Sequence, residues 1–162
     1  MSKIEYIKKP AILYGGFLVA GIMLGVFVLN PTFGETHDLS SQSVSNFKSI
    51  FFTNGGIVLL IYLSCIFTRI YAYLTYSVNG LIHGIYFGWI IKTNIALMFL
   101  VIPHGIFEII CILASGYIVS KGETYIRNNF KKFITLLFFH ELAILLCAVI
   151  EAFITPCFAK YI

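Results

Sequence analysis

The sequence contains very little charge. Only 11% of its 162 residues are Asp, Glu, Lys or Arg, whereas 59% are hydrophobic, and a typical soluble domain is about 25% charged. So few charges cannot cover the surface of a soluble domain, which excludes an ordinary soluble protein. The formal net charge of +4 is interpreted as a signal of membrane orientation. The lipid bilayer is therefore the expected partner, and nucleic acid is not.

Motifs of several enzyme and transporter classes are absent too. The four cysteines lack the C-x-x-C spacing of zinc and redox sites. No HExxH motif is present, because Ile144 stands where a second histidine would follow the His140-Glu141 dipeptide. There is no nucleotide-binding loop, so ATP-driven transport would require another subunit. The expectation is therefore a protein without a cofactor, with zinc as an alternative considered below.

The first apolar run is not followed by a small-x-small cleavage site. Lys3, Lys8 and Lys9 precede it, as they would in a signal peptide, but the run from 11 to 29 is longer than the h-region of about 7 to 15 residues. We therefore expect an uncleaved first transmembrane span.

Long apolar runs divide the rest of the chain. Runs of about 20 residues can cross roughly 30 Å of hydrocarbon, and they predict one all-α domain over residues 1–162, a polytopic transmembrane helical bundle. Arg69 alone separates the second run from the third, which predicts a tight hairpin, and residues 30–47 are expected to form a solvated loop. The five expected spans are 10–29, 49–68, 70–91, 94–119 and 133–156.

The distribution of basic residues predicts the orientation, because cytoplasmic loops retain Lys and Arg. With the N-terminus inside and the C-terminus outside, eight basic residues are cytoplasmic and three are exterior. The cytoplasmic eight are Lys3, Lys8, Lys9, Arg69, Lys121, Arg127, Lys131 and Lys132, and the exterior three are Lys48, Lys92 and Lys160.

Glycines recur at four-residue spacing in two of the expected spans. Gly21 and Gly25 lie in the first, and Gly80, Gly84 and Gly88 lie in the third. Such stripes let helix backbones approach closely in a membrane. They predict helix packing, and they favour a central position for the third span.

Polar residues interrupt the fourth apolar run in VIPHGIFEIICIL, residues 101–113. Pro103 lacks a backbone N–H and disfavours helical torsions in the residue before it, so the helix is expected to kink or restart there. A restart would leave the N–H groups of His104 and Gly105 free to face an anionic group. His104 and Glu108 are four positions apart and therefore share one helix face.

The fifth apolar run contributes His140 and Glu151, which lie on one stripe. They are about 16 Å apart along the axis at ~1.5 Å per residue, too far to share an ion or a proton. Because the fourth helix runs inward and the fifth outward, Glu151 is expected at the depth of His104 and Glu108. The expected intramembrane polar cluster is His104, Glu108 and Glu151.

Three interpretations of this cluster are open. An ionisable group in hydrocarbon costs about 2.5 to 3.5 kcal/mol on insertion scales and usually marks function. The cluster is compatible with a network that fixes helix packing, with a site that binds a substrate or partner or relays protons, and with a zinc site. Four other polar residues are expected to form interhelical hydrogen bonds: Asn54, Asn79, His83 and Asn94.

The motifs around this cluster resemble a known family. IPHGIFEI, followed about forty residues later by IEAFITP, resembles the stage II sporulation protein M family of bacterial integral membrane proteins. NGLIHGIYFG resembles that family's Asn-Gly motif in a middle span. The resemblance covers roughly residues 50 to 157. It implies that the characteristic residues are His104, Gly105, Glu108, Glu151, Thr155 and Pro156, with Pro103 opening the PHGxFE motif, and also Asn79 and Gly80.

The resemblance implies a multi-pass protein of the bacterial cell membrane with five to six spans and no established reaction. The namesake of the family anchors the cell-wall hydrolases that drive engulfment in spore formers. Other proteins that resemble it accompany circular-bacteriocin production and immunity, often beside transporter subunits. These associations make transporter subunits or cell-wall hydrolases the expected membrane partners, and a homo-oligomer is a further option.

The leading hypothesis is a non-enzymatic scaffold or accessory subunit that recruits or stabilises a cell-envelope or peptide-export complex. One alternative is an intramembrane metal-dependent hydrolase or peptide-processing enzyme that holds zinc at His104, Glu108 and Glu151. The other is a transporter component that binds an anionic group at the broken fourth helix.

Overall fold

The structure is a computed structural model that describes residues 3–28 and 43–159. Within these ranges it contains helices and no strand, which confirms the all-α fold. A 3-10 turn, Ile95–Leu97, precedes the fourth helix, and a π-helical turn, Ile150–Ile154, follows the fifth. The helices are α1 (Lys3–Phe27), α2 (Ser43–Phe67), α3 (Arg69–Thr93), α4 (Met98–Asn128), α5 (Phe130–Val149) and α6 (Thr155–Ala159).

Four stretches of the described chain are long and apolar enough to cross a membrane: Lys8–Phe27, Asn46–Phe67, Ile95–Asn128 and Phe130–Phe158. These stretches fall in α1, in α2, in α4 with its preceding turn, and in α5 through α6. Although α3 is 25 residues long, it is not among them, because tyrosines and polar side chains lower its hydropathy. The expected count of five spans therefore stays a prediction.

Two connections between helices differ from the prediction in their bounds. α2 already begins at Ser43, so the end of the expected 30–47 loop is helical, and the rest of that loop up to residue 42 lies outside the described residues. Thr68, rather than Arg69, separates α2 from α3, and its side chain accepts a hydrogen bond from the Ile70 N–H. This side-chain cap satisfies one of the free N–H groups with which a helix begins.

α4 is the central helix of the bundle, since it contacts α1, α2, α3 and α5. The expectation that α3 is central was wrong. α3 packs mainly against α1, and its opposite face exposes Leu74, Val78 and Ile82. A glycine stripe specifies one very close neighbour and carries no information about neighbours on the other sides.

α1 and α3 pack backbone against backbone. Gly21 of α1 lies against Gly84 of α3, and Gly25 lies against Gly88. A Cβ atom at any of these positions, or at Gly80, would overlap backbone atoms of the opposite helix. All five glycines of the two stripes therefore lie in the α1–α3 interface.

α4 continues through Pro103 with helical torsions. The expected restart is wrong, because the helix has already begun at Met98 and the proline lies in its second turn. The missing N–H removes one helical bond, to the carbonyl of Phe99, and leaves the rest of the helix intact. The N–H groups of His104 and Gly105 consequently lie inside a helix and are not a free anion-binding end.

The interruption of α4 occurs at Gly122, whose φ of 75° is the left-handed conformation that glycine adopts at little cost. The guanidinium of Arg69 lies against it, since a Cβ atom on Gly122 would be 2.7 Å from Arg69 Nη2. Carbonyls at the end of a helix attract cations. The arginine that follows the α2–α3 turn thus packs on the break in α4.

Candidate functional site

A polar cavity of about 320 Å³ lies among α2, α3, α4 and the turn after α5. It is near the end of the bundle at which α2 and α4 begin. Apolar residues such as Ile50 and Ile109 complete its wall. The polar residues that line it are Ser49, Thr53, Asn54, His83, Tyr86, His104, Glu108, Glu151 and Thr155.

Glu108 projects from α4 to the cavity and is only 6% exposed. Asn54 Nδ2 donates a hydrogen bond of 2.7 Å to Glu108 Oε1. A buried carboxyl group is costly unless it is hydrogen-bonded, and this bond offsets part of that cost. It also joins α2 to α4 at the depth of the cavity.

His104 and Glu151 approach each other across the α4–α5 side of the cavity. Their closest atoms, Nε2 and Oε2, are 3.8 Å apart, which is too long for a direct hydrogen bond. His104 is 4% exposed, whereas the Glu151 side chain is 36% exposed, so Glu151 lies where the cavity meets the surface. Among the described residues, His104 Nδ1 has no hydrogen-bond partner.

The π-helical turn that contains Glu151 has a cause in the sequence. Pro156 has no N–H to offer the carbonyl of Ala152, and the Thr155 N–H bonds the carbonyl of Ile150, five residues back. Such turns widen a helix locally and are frequent at functional sites. The ExxxTP motif therefore coincides with a backbone distortion and supplies two cavity-lining side chains.

Some residues of the sequence motifs line the cavity, and others lie elsewhere in the bundle. Asn79 and Gly80 lie away from the cavity, in α3: the Asn79 side chain donates to the carbonyl of Thr75, and Gly80 packs on α1. Pro103 is exposed on the outer side of α4. The motif residues that line the cavity are His104, Gly105, Glu108, Glu151 and Thr155.

Two of the four polar residues expected to bond between helices do so. Asn54 bonds Glu108, and the His83 Nδ1 atom shares a hydrogen bond with the hydroxyl of Tyr14 on α1. The expectation was wrong for Asn79 and Asn94. Asn79 bonds its own helix, and Asn94 accepts from the Ala96 N–H to begin the 3-10 turn. Asn side chains readily bond nearby backbone in this way.

The tyrosine partners of these polar groups are not evident from sequence spacing. Besides the Tyr14 bond, the Tyr62 hydroxyl bonds His140 Nδ1 at 2.9 Å, and the Tyr76 hydroxyl bonds Ser115 Oγ at 3.1 Å. A buried tyrosine usually needs a partner for its hydroxyl, which is the signal that could have identified them. His140 thus has its own partner and lies apart from the cavity.

The donor atoms at the cavity do not form a zinc site in this arrangement. Zinc ligands lie at about 2.0 to 2.2 Å from the metal and therefore converge on one point. In residues 3–28 and 43–159, no three His, Cys, Asp or Glu side chains are grouped so as to hold a metal ion. One oxygen of Glu108 is instead engaged by Asn54. No chemical step through a metal follows from this geometry.

The family model described as stage II sporulation protein M matches residues 14–156. The chain belongs to the stage II sporulation protein M family. This confirms the family indicated by the PHGxFE and ExxxTP motifs, and with the apolar helices it identifies a membrane protein. The chain is also similar to an uncharacterised protein of the archaeon Methanocaldococcus jannaschii, at 30% identity over 96% of this chain and 98% of that protein. No solved structure matches the chain.

Proposed function

We propose that this protein is a non-enzymatic scaffold or accessory subunit of a complex in the cell membrane, one that acts on the cell envelope or in peptide export. The proposal depends on the contacts that the polar motif residues make between helices. Asn54 with Glu108 and His104 with Glu151 join three different helices across one cavity. Such contacts fix helix geometry, which is what a platform for other proteins requires.

Membership of the stage II sporulation protein M family supports the proposal at the level of the family. The proposed partners are transporter subunits or cell-wall hydrolases, and a second copy of the chain is a further one. The scaffold needs no cofactor. Its outer surface carries large apolar side chains such as Phe52, Phe99 and Phe107, which are 60% exposed or more and suit contact with lipid or with another membrane protein.

The proposed topology has five spans, with the N-terminus in the cytoplasm and the C-terminus outside. Support for α3 as a span comes from its packing, because the glycine contacts hold its segment from Gly80 to Trp89 alongside α1. A C-terminal alkaline phosphatase fusion, which is active only outside the cytoplasm, should be active. An inactive fusion at normal protein levels would contradict five spans with this orientation.

The scaffold is tested by affinity purification of the full chain from its native membranes in mild detergent. The expected result is a membrane protein recovered at a near one-to-one ratio. Glu151→Gln, which weakens the contact between α4 and α5, should lower that recovery. Glu123→Gln is the matched control, because it makes the same charge change at a 62% exposed position that pairs with Arg127 and does not line the cavity.

Recovery of the chain alone from its native membranes would overturn the scaffold proposal. The proposal would also be overturned if wild type and Glu151→Gln, present at equal levels, recovered the partner at the same ratio. That second result would show that the cavity contacts do not shape the partner-binding surface.

A further inference from the structure

We propose that the cavity among α2, α3, α4 and the turn after α5 is a binding site for the ammonium group of a small primary amine. The amine is either a free molecule or the headgroup of a lipid. This inference goes beyond the scaffold proposal and does not depend on which protein the chain accompanies.

Charge is the first reason. The cavity is lined by the carboxyl groups of Glu108 and Glu151, and the described residues that line it include no Lys or Arg. Two carboxyl groups sharing one low-dielectric cavity repel each other when both are ionised. A cationic ligand is the class that removes this repulsion, whereas an anionic ligand would add to it.

Hydrogen-bond chemistry is the second reason. A neutral imidazole has one acceptor nitrogen, and in His104, which lines the cavity, Nε2 lies nearest Glu151 and Nδ1 is the other ring nitrogen. That Nδ1 atom is buried and has no partner in the described part of the chain. An ammonium group carries three donors and no acceptor. It therefore suits a cavity lined by an imidazole and two carboxyl groups.

Size is the third reason. The volume of about 320 Å³ is many times the ~30 Å³ that a water molecule occupies, and it falls at the lower end of the range for small-molecule sites. A bare cation would leave most of it unfilled. Tyr86 and Phe87 also line the cavity, and aromatic rings attract alkylammonium groups. These features favour an amine with a short carbon chain.

The test uses the purified full-length protein and n-butylammonium as the probe, with binding followed by calorimetry and by the shift in melting temperature. We expect saturable binding of butylammonium and none of butyrate or 1-butanol. Glu108→Gln and Glu151→Gln should each weaken binding at least about tenfold, because each removes a charged acceptor. Glu123→Gln, outside the cavity, should bind like the wild type.

A second variant blocks the space without changing charge. At Gly105, which lines the cavity, an added Cβ would meet only Val101 Cγ1, at 3.8 Å, so a larger side chain has room there. Gly105→Leu should abolish butylammonium binding in a protein that still melts cooperatively. The proposal is overturned if butylammonium does not saturate, if butanol binds equally well, or if Gly105→Leu and both Gln variants bind like the wild type.

Nanodiscs separate the two sources of the amine. If the natural ligand is a lipid headgroup, butylammonium should bind more weakly in nanodiscs of phosphatidylethanolamine than in nanodiscs of phosphatidylglycerol, which has no amine. Equal affinity in both lipids would assign the site to a free amine. Loss of binding in every lipid would overturn the site itself.

Discussion

The interface of α1 with α3 and the cavity among α2, α3, α4 and the turn after α5 are held together mainly in different ways. In the first, glycines bring two backbones into contact, and the hydrogen bond between Tyr14 and His83 joins the same two helices. In the second, polar side chains reach across the gap between helices: Asn54 to Glu108, and His104 to Glu151. The first interface leaves no space, whereas the second encloses a cavity of about 320 Å³.

The difference shows how a lipid-embedded bundle can separate stability from binding. Where lipid removes the hydrophobic drive between helices, close packing supplies association. A closely packed glycine interface cannot hold a ligand. The looser polar region can, and its fixed geometry depends on a small number of polar contacts. Mutations in the two regions should therefore have different effects.

The largest effect is expected in the α1–α3 interface. Gly21→Val would drive a side chain into the backbone at Leu81 and Gly84, and overpacking of this kind should destabilise the protein by about 3 kcal/mol or more. Gly16→Val, on the same helix, is the control, because an added Cβ there meets nothing within 4 Å. Unfolding by SDS in mixed micelles measures the stability of both variants. If Gly21→Val and Gly16→Val lowered the free energy of unfolding equally, the close α1–α3 packing would not be the cause of the loss.

A moderate effect is expected at the cavity. Glu108→Ala leaves the partly buried Asn54 amide without its acceptor, so we expect a loss of about 1 kcal/mol, the lower end of the cost of an unpaired buried group. Glu108→Gln keeps a carbonyl oxygen for Asn54 and should cost less than about 1 kcal/mol. The same SDS titration compares them. A Gln variant as unstable as the Ala variant would show that charge, and not the hydrogen bond, holds α2 to α4.

The smallest effect is expected for the polar contact outside both regions. A double-mutant cycle of Tyr62→Phe and His140→Ala should give a coupling free energy near 0.6 kcal/mol, the rough average for hydrogen bonds between transmembrane helices. Thermal or SDS unfolding of the four proteins gives the value. A coupling as large as the loss in Glu108→Ala would place this contact among the main determinants of the fold.

Sequence spacing relates to the placement of His104 and Glu151 more closely than to the question of which helix is central. Helical spacing and the alternating direction of successive helices place Glu151 at the depth of His104, and the structure has the two side chains 3.8 Å apart. The central position of α4 could not be read in this way, because its apolar residues surround the helix and leave no preferred face. The glycine stripe of α3 suggested the wrong central helix for a different reason: a glycine stripe indicates one close neighbour only.

Local backbone was predicted least well. Pro103 and Pro156 have the same chemistry and different outcomes: α4 runs through the first, and a π turn precedes the second. The proline alone does not distinguish these cases, because the outcome depends on how neighbouring helices hold the backbone. The break at Gly122 lies within a polar segment. Several residues of that segment are of types common in bends, so the sequence does not single out Gly122.

The pairing of α1 with α3 also sets an order of events during synthesis. α1 packs mainly against α3 and α4, so its first partner is not the next helix in the chain. The ribosome must pass from Phe27 to Thr93, which takes on the order of 3 to 13 s at 5–20 residues per second. During that interval the glycine face of α1 lacks its partner helix, α3. Quality-control proteases and insertion chaperones therefore have a window of seconds in which to recognise the nascent chain.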